Sequence, residues 1–196
     1  MRARVDNVSR RYARDLRRAA SLGGLSVLLS GVVALIDTLM VGSISIAAAA
    51  LLVVGGAALA IRVAQAPRSI WAGGLKGDLF LLGVALALGG LIEMLHAFGV
   101  LFGDAPHLGL AATLAIGAVW LLVGSPRGFR IEARVVGALR LVGGLLIVAA
   151  GSAFVAVGLG DPHDQLASVS MLLLACAGLA LLRAGTRTPA VGWQRL

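Results

Sequence analysis

Charged residues, cysteine and proline are all scarce in this sequence. Of its 196 residues, 13% are Asp, Glu, Lys or Arg and 59% are hydrophobic, and the mean hydropathy is +0.97. Such a composition cannot keep the surface of a soluble domain hydrated. The only cysteine, Cys176, excludes a disulfide within the chain and a cysteine-based metal site, and its apolar surroundings predict a packed thiol. These shortages predict an integral membrane protein.

Proline is absent from every long apolar run. The five prolines are Pro67, Pro106, Pro126, Pro162 and Pro189, and a proline inside a helix would remove a hydrogen-bond donor. A membrane-spanning helix needs about 20 mostly apolar residues. Six segments qualify: 19–37, 41–61, 79–98, 108–124, 136–158 and 166–182. We therefore predict an all-α polytopic membrane protein whose six unkinked transmembrane helices form three tandem hairpins, 19–61, 79–124 and 136–182.

Lysine and arginine are absent from alternate connections between these segments. All 17 lie before the first segment, after the second, around the start of the fifth or after the sixth. The other connections and the segment ends beside them carry Asp37, Glu93, Asp104, Asp161, Asp164, His96, His107 and His163. Because cytoplasmic loops are enriched in Lys and Arg, this asymmetry predicts that both chain termini are cytoplasmic.

The formal net charge of +8 predicts contact with anionic lipid headgroups at the inner membrane face rather than with nucleic acid. We divide the chain into a basic N-terminal segment, 1–18, a six-helix transmembrane domain, 19–183, and a cytoplasmic tail, 184–196. Within the first segment, residues 5–18 have two alternative interpretations. One is an amphipathic helix on the inner leaflet, and the other is a disordered polybasic tail.

Pairs of glycines seven residues apart recur in the first, third and fifth apolar segments. They are Gly24 and Gly31, Gly83 and Gly90, and Gly144 and Gly151. Seven residues are close to two helical turns, so each pair lies on one stripe where another backbone can approach closely. The recurrence predicts a threefold internal repeat of helical hairpins about an axis along the membrane normal. The stripes face either the bundle interior or partner helices.

Three glycine-rich segments carry a resemblance to a known family. LGGLSVLLSGVVALI (22–36), LLGVALALGG (81–90) and LVGGLLIVAAG (141–151) are similar to segments of the HdeD-like family of small bacterial inner-membrane proteins, which are associated with acid resistance. The resemblance covers residues 19–183. It implies tandem hairpins, a bacterial inner-membrane location and a link to envelope or acid stress. Segment 36–43 departs from the family because it lacks a proline that is often expected in the first turn.

Ionisable residues inside a span are costly and mark candidate sites. Glu93 and His96 lie one turn apart on the third segment, and Asp37 is at the matching end of the first. A helical-bundle metal site needs further ligands that this chain lacks, so we favour a polar pair at the outer headgroup boundary over a metal or haem site. Because histidine changes charge near neutrality, these three residues with His107 and His163 are also candidates for a pH-responsive outer rim.

No activated nucleophile, pair of catalytic carboxylates or redox cysteine pair can be assembled from the sequence. We therefore predict a protein without enzymatic activity and without a cofactor. Two functions stay open. The first is an HdeD-like stress protein that acts through helix packing, alone or as a homo-oligomer. The second is an accessory subunit of a larger respiratory or photosynthetic complex. A small-solute transporter is a third alternative, which would require a polar cavity at mid-depth.

Overall fold

Six α-helices account for nearly all of the residues that the computed structural model describes, which are 2–41, 46–65, 74–102, 105–123, 133–159 and 165–187. The helices are α1 (Arg2–Val41), α2 (Ile46–Ala64), α3 (Gly74–Ala97), α4 (Ala105–Val123), α5 (Ala133–Leu159) and α6 (Gln165–Arg187). The all-α prediction is confirmed.

Five of these helices are long and apolar enough to cross a membrane. The qualifying segments are Arg17–Asp37, Ile46–Ala64, Gly77–Ala97, Gly137–Val157 and Ala167–Gly185. In α4 the apolar stretch among the described residues is shorter, His107–Val119. The length and composition of the helices are those of a membrane protein.

The first helix is much longer than a bilayer requires. With 40 residues, α1 extends for about 60 Å, roughly twice the thickness of a hydrocarbon core. Residues 5–18, for which a helix and a disordered tail were the alternatives, continue the same helix as the apolar segment Arg17–Asp37. The five arginines of residues 5–18 therefore lie on the same helix as the first apolar segment.

The six helices form a closed ring. Each helix packs against the helix before and after it in the chain, and α6 packs against α1. Neighbours run antiparallel, so α1, α3 and α5 begin at one end of the ring. We call this end the arginine end, because Arg17, Arg62, Arg140 and Arg183 lie there, and the opposite end the histidine end.

Leucine and alanine fill the interior, and large apolar side chains also cover the outside. Leu59, Leu82, Leu146 and Leu181 are fully buried members of one continuous core. Large side chains on the outer faces of all six helices are exposed, as expected where lipid replaces water. Cys176 is also exposed, so the prediction of a packed thiol is wrong: its helical position points outward between the buried Ala175 and Ala177.

The glycine pairs of α1 bring two helix backbones together. A Cβ atom added to Gly24 would collide with the backbone of Leu182 in α6, and one added to Gly31 would lie 2.5 Å from the backbone nitrogen of Ala175. On α6, Gly178 receives the backbone of Leu28 in the same way. Close approach between α1 and α6 therefore depends on residues that have no side chain.

The three glycine pairs differ in what they face. On α3, Cβ atoms added to Gly83 and Gly90 would each lie 2.7 Å from a backbone atom of α2. On α5, by contrast, no atom of another helix among the described residues lies within 4 Å of a Cβ added to Gly144 or Gly151. The glycine stripes therefore do not share one orientation. Those of α1 and α3 face the preceding helix in the ring, which is α6 for α1 and α2 for α3, whereas the stripe of α5 faces no other helix among the described residues.

Candidate functional site

The end of α3 is a tight cap that sets the path of the chain toward α4. The backbone N–H of Val100 donates to the carbonyl oxygen of Leu95 at 2.9 Å, and that of Gly99 donates to the carbonyl oxygen of His96 at 2.8 Å. Gly99 has a φ of 71°, a left-handed conformation that glycine adopts without strain. This pair of hydrogen bonds around a left-handed glycine is a Schellman motif.

The side chain of His96 adds a further hydrogen bond to this cap. Its Nδ1 atom lies 3.0 Å from the carbonyl oxygen of Leu101. Because a carbonyl oxygen only accepts, Nδ1 carries the hydrogen and Nε2 is the ring nitrogen that can take up a proton. His96 also lies in the last turn of α3.

Glu93 lies one turn earlier and connects α3 to α4. Its side chain is 2% exposed, and its Oε1 atom accepts a hydrogen bond from Nδ1 of His107 at 2.9 Å. The side chain of His107, near the start of α4, is 34% exposed. A carboxylate buried in an apolar bundle is costly unless it is paired. The His107 imidazole supplies that partner from the neighbouring helix.

The two imidazole rings are in contact. The ring centroids of His96 and His107 are 5.0 Å apart and the ring planes are inclined by 76°, an edge-to-face arrangement. Glu93, His96 and His107 therefore form one group at the histidine end, which we call the α3–α4 cluster. It joins the C-terminal cap of α3 to the first turn of α4.

This cluster contains three of the five residues that the sequence marks as an outer polar group. The expected pairing is only partly right, because the hydrogen-bond partner of Glu93 is His107 rather than His96. Asp37 lies near the end of α1, a helix that packs mainly against α2 and α6 rather than against α3 and α4. His163 lies outside the described residues.

A metal site does not emerge from this geometry. Among the residues that the structure describes, no three His, Cys, Asp or Glu side chains converge in a way that could hold a metal ion. In each of His96 and His107 the Nδ1 hydrogen is bonded, in one ring to a backbone carbonyl and in the other to a carboxylate, which leaves Nε2 as the ring nitrogen that can accept a proton. What the arrangement can do chemically is take up and release protons.

The other two hairpins also carry a polar link between their helices. In the first, the buried Ser30 hydroxyl donates to the carbonyl oxygen of Ala48 at 2.7 Å. In the third, the Ser152 and Ser170 hydroxyl oxygens are 2.8 Å apart. Only the α3–α4 hairpin uses ionisable side chains for the link that is described. Each of the helix pairs α1–α2, α3–α4 and α5–α6 therefore has a described polar link, and the link of α3–α4 is the one made by ionisable side chains.

One buried carboxylate was missed by sequence reasoning. Asp78 in the second turn of α3, at the arginine end, is 5% exposed. Asp78 follows Lys76 and Gly77 in a stretch whose composition is that of a polar connection between helices. The sequence therefore gives no signal that its side chain is buried. Together with Glu93, it places both buried carboxylates of the described residues on α3.

A comparison of the chain with protein-family models, curated proteins and solved structures finds no significant match.

Proposed function

We propose that this chain is a six-span protein of the bacterial inner membrane that has no catalytic activity and acts through helix packing. By its resemblance to the HdeD-like family, we assign it to the response to envelope or acid stress. The observation that carries the proposal is the backbone-to-backbone contact of α1 with α6 and of α2 with α3 at glycines. Such contacts are a main source of stability for helices in lipid, where burial of apolar surface gives no driving force.

The six-span topology rests on α4 being a span as well. This helix has 19 residues, and at 1.5 Å per residue it extends for about 28 Å, close to the thickness of a hydrocarbon core. It also packs against both α3 and α5 within the ring. With six spans, the arginine end faces the cytoplasm together with both termini, and its arginines meet the anionic lipids of the inner leaflet.

The test of the stress assignment is survival after acid challenge in a strain that lacks the gene. We expect reduced survival that is restored by the wild-type chain and by Cys176→Ser, an exposed and conservative change. Gly31→Leu, which would force α1 away from α6, should fail to restore it. Equal survival with and without the gene, with the protein present in the wild-type membrane, would remove the assignment.

A second candidate, an accessory subunit of a larger membrane complex, is favoured by the uncovered glycines of α5. Within the part of the chain that the structure describes, no atom of another helix lies within 4 Å of a Cβ added to Gly137, Gly144 or Gly151, and Leu141 and Val148 between them are exposed. A helix face on which small residues alternate with larger ones can pack against a helix of another protein as well as against lipid. The mass and composition of the particle extracted with a mild detergent separates the candidates. A particle made only of this chain supports the first, and a stoichiometric complex with other proteins supports the second.

A further inference from the structure

We infer that α4 has two packing positions in the ring and that Ile116 holds it in the one described. In the other position, α4 and α5 are each turned by about one residue, and Gly117 of α4 lies against Gly144 and Gly151 of α5. This joint between two hairpins goes beyond the packing role proposed above and does not depend on the stress assignment.

Three seams join consecutive hairpins in the ring, namely α2–α3, α4–α5 and α6–α1. At two of them a glycine of the even-numbered helix meets a backbone. A Cβ atom added to Gly56 of α2 would collide with the backbone of Gly83 in α3, and one added to Gly178 of α6 would collide with the backbone of Leu28 in α1. Helix α4 has a glycine at the same place in the repeat, because Gly117 lies 61 residues after Gly56 and 61 residues before Gly178.

Among the described residues, the α4–α5 seam lacks this contact. A Cβ atom added to Gly117 would lie 3.1 Å from the Cβ atom of Ala85 in α3, so Gly117 faces the other helix of its own hairpin. Gly144 and Gly151, which correspond to the covered glycines of α1 and α3, face no other described helix. Of the five long apolar segments, the one in α5 is the least buried, 28% against 44% in each of the others.

Both helices at this seam are turned relative to their counterparts. On α5, Val142 is 1% exposed, whereas Leu22 of α1 and Leu81 of α3, at the same place in the repeat, are 49% and 38% exposed. On α4, Ala118 is buried, whereas its counterpart Leu179 of α6 is exposed. One residue corresponds to about 100° of rotation in an α-helix. The difference between this seam and the other two is therefore a rotation of each helix about its own axis.

The side chain of Ile116 accounts for the rotation. The residues at its place in the other two hairpins are small: Gly55 of α2, which packs against the side chain of Ser26 in α1, and Ala177 of α6, which is buried. An isoleucine at this place would have to fit between α4 and α3, where close helix approach requires small side chains. Ile116 is instead 66% exposed, and Gly117 takes the inner place.

One side chain therefore opposes closure of the α4–α5 seam. When α4 turns by one residue, Gly117 moves from α3 to the seam, and the stripe of α5 has room for it because Gly144 and Gly151 carry no side chain. The matching turn of α5 moves Val142 from the interior toward lipid, where Leu22 and Leu81 lie. The ring therefore has two seams closed by backbone contact and one that is held open.

The test measures contact between valine methyl groups and lipid, by nuclear Overhauser effects to acyl-chain protons, on the full chain in phospholipid nanodiscs. In the wild-type protein we expect Val142 to give no lipid cross-peak, as the buried Val63 does, whereas the exposed Val54 gives a strong one. In Ile116→Gly, which has the residue found at position 55, Val142 should gain a lipid cross-peak comparable to that of Val54.

Two further variants identify the cause and the destination of the movement. Val119→Gly removes a β-branched, exposed side chain three positions further along α4 and controls for the lower helix propensity of glycine, so Val142 should remain without lipid contact. Ile116→Gly/Gly144→Leu/Gly151→Leu fills the stripe of α5, so Val142 should lose the lipid cross-peak that Ile116→Gly alone produces.

Four results overturn the inference. They are a lipid cross-peak of Val142 in the wild-type protein as strong as that of Val54, no such cross-peak in Ile116→Gly, a cross-peak in Val119→Gly, and one that persists in the triple variant. If Ile116→Gly does not fold, Ile116→Ala replaces it, since alanine is the residue at the same place in α6, and the same results support or overturn the inference.

Discussion

Gly56 of α2 and Gly83 of α3 face each other so closely that each carbonyl oxygen occupies the space needed by a side chain on the other. A Cβ atom added to Gly56 would lie 2.5 Å from the carbonyl oxygen of Gly83, and one added to Gly83 would lie 2.8 Å from the carbonyl oxygen of Gly56. Both distances are shorter than a normal contact between carbon and oxygen. The first hairpin is therefore joined to the second through backbone atoms.

This contact predicts that Gly83→Ala destabilises the protein. The added methyl group meets backbone atoms, which cannot rotate away, so α2 and α3 must separate at a cost of about 1–3 kcal/mol. The measurement is the thermal unfolding midpoint in detergent. Gly144→Ala is the matched control, since no atom of another described helix lies within 4 Å of its added Cβ, and it should change stability by no more than about 0.5 kcal/mol. Equal midpoints for the two variants would contradict the packing described for Gly83.

The hydrogen bond between Glu93 and His107 predicts strong coupling between substitutions at the two positions. His107→Ala leaves a buried carboxylate without its partner and should cost about 1–3 kcal/mol. Once Glu93→Gln has removed the charge, the same histidine change should cost less. A double-mutant cycle on the free energy of unfolding at pH 7 measures the difference. Additive effects would mean that the two side chains do not interact in the membrane.

The uncovered face of α5 predicts a change in assembly without a change in fold. Gly144→Leu/Gly151→Leu adds side chains at two positions where, among the described residues, no atom of another helix lies within 4 Å of an added Cβ, so the variant should fold with a nearly unchanged unfolding midpoint. If α5 packs against a helix of another chain, the native particle should become smaller by the mass of that chain. Cys176→Leu introduces the same kind of change on the exposed face of α6 and should leave the particle unchanged. Native mass spectrometry reads out both variants, and an unchanged particle in the double-glycine variant assigns this face to lipid.

The distribution of arginine predicts which positions are reachable from outside the cell. In a Cys176→Ser background, single cysteines introduced at Ser9 and Thr188 should be protected from a membrane-impermeant maleimide on intact spheroplasts. A cysteine introduced at Asp104 should react. Protection is expected to be lost when the membrane is permeabilised. Reaction of only one of the two terminal positions before permeabilisation would show that the number of spans is odd.

Helix content was predictable from the sequence because apolar length is a local property. The segment 79–98 anticipates the apolar part of α3, although that helix begins at Gly74. The early start was not predictable, because the hydropathy pattern shows where lipid begins and does not show where helical hydrogen bonding begins. The same reason explains α1, whose polar first turns continue the apolar part without a break.

The sequence predicted which residues belong to the candidate site, but not which of them are hydrogen-bonded to each other. Glu93, His96 and His107 stand out because ionisable residues near apolar runs are rare. Whether Glu93 bonds to the histidine on its own helix or to the one on α4 depends on the path of the chain through Gly99 and on the rotation of α4 about its axis. Neither is encoded by residue spacing along one helix. Asp78 was not predicted at all, because its burial results from the residues that pack around it and not from its neighbours in the sequence.

Amino-acid composition and order alone determined that this chain consists of apolar helices with arginines gathered in alternate connections, because transfer into lipid acts on each segment separately. Only the tertiary structure decided which glycines are covered. Gly24, Gly31, Gly83 and Gly90 lie against another backbone, whereas Gly144 and Gly151 have the same spacing and lie against none. Identical spacing leads to different contacts because each helix is free to rotate about its axis until packing with both neighbours in the closed ring sets its orientation.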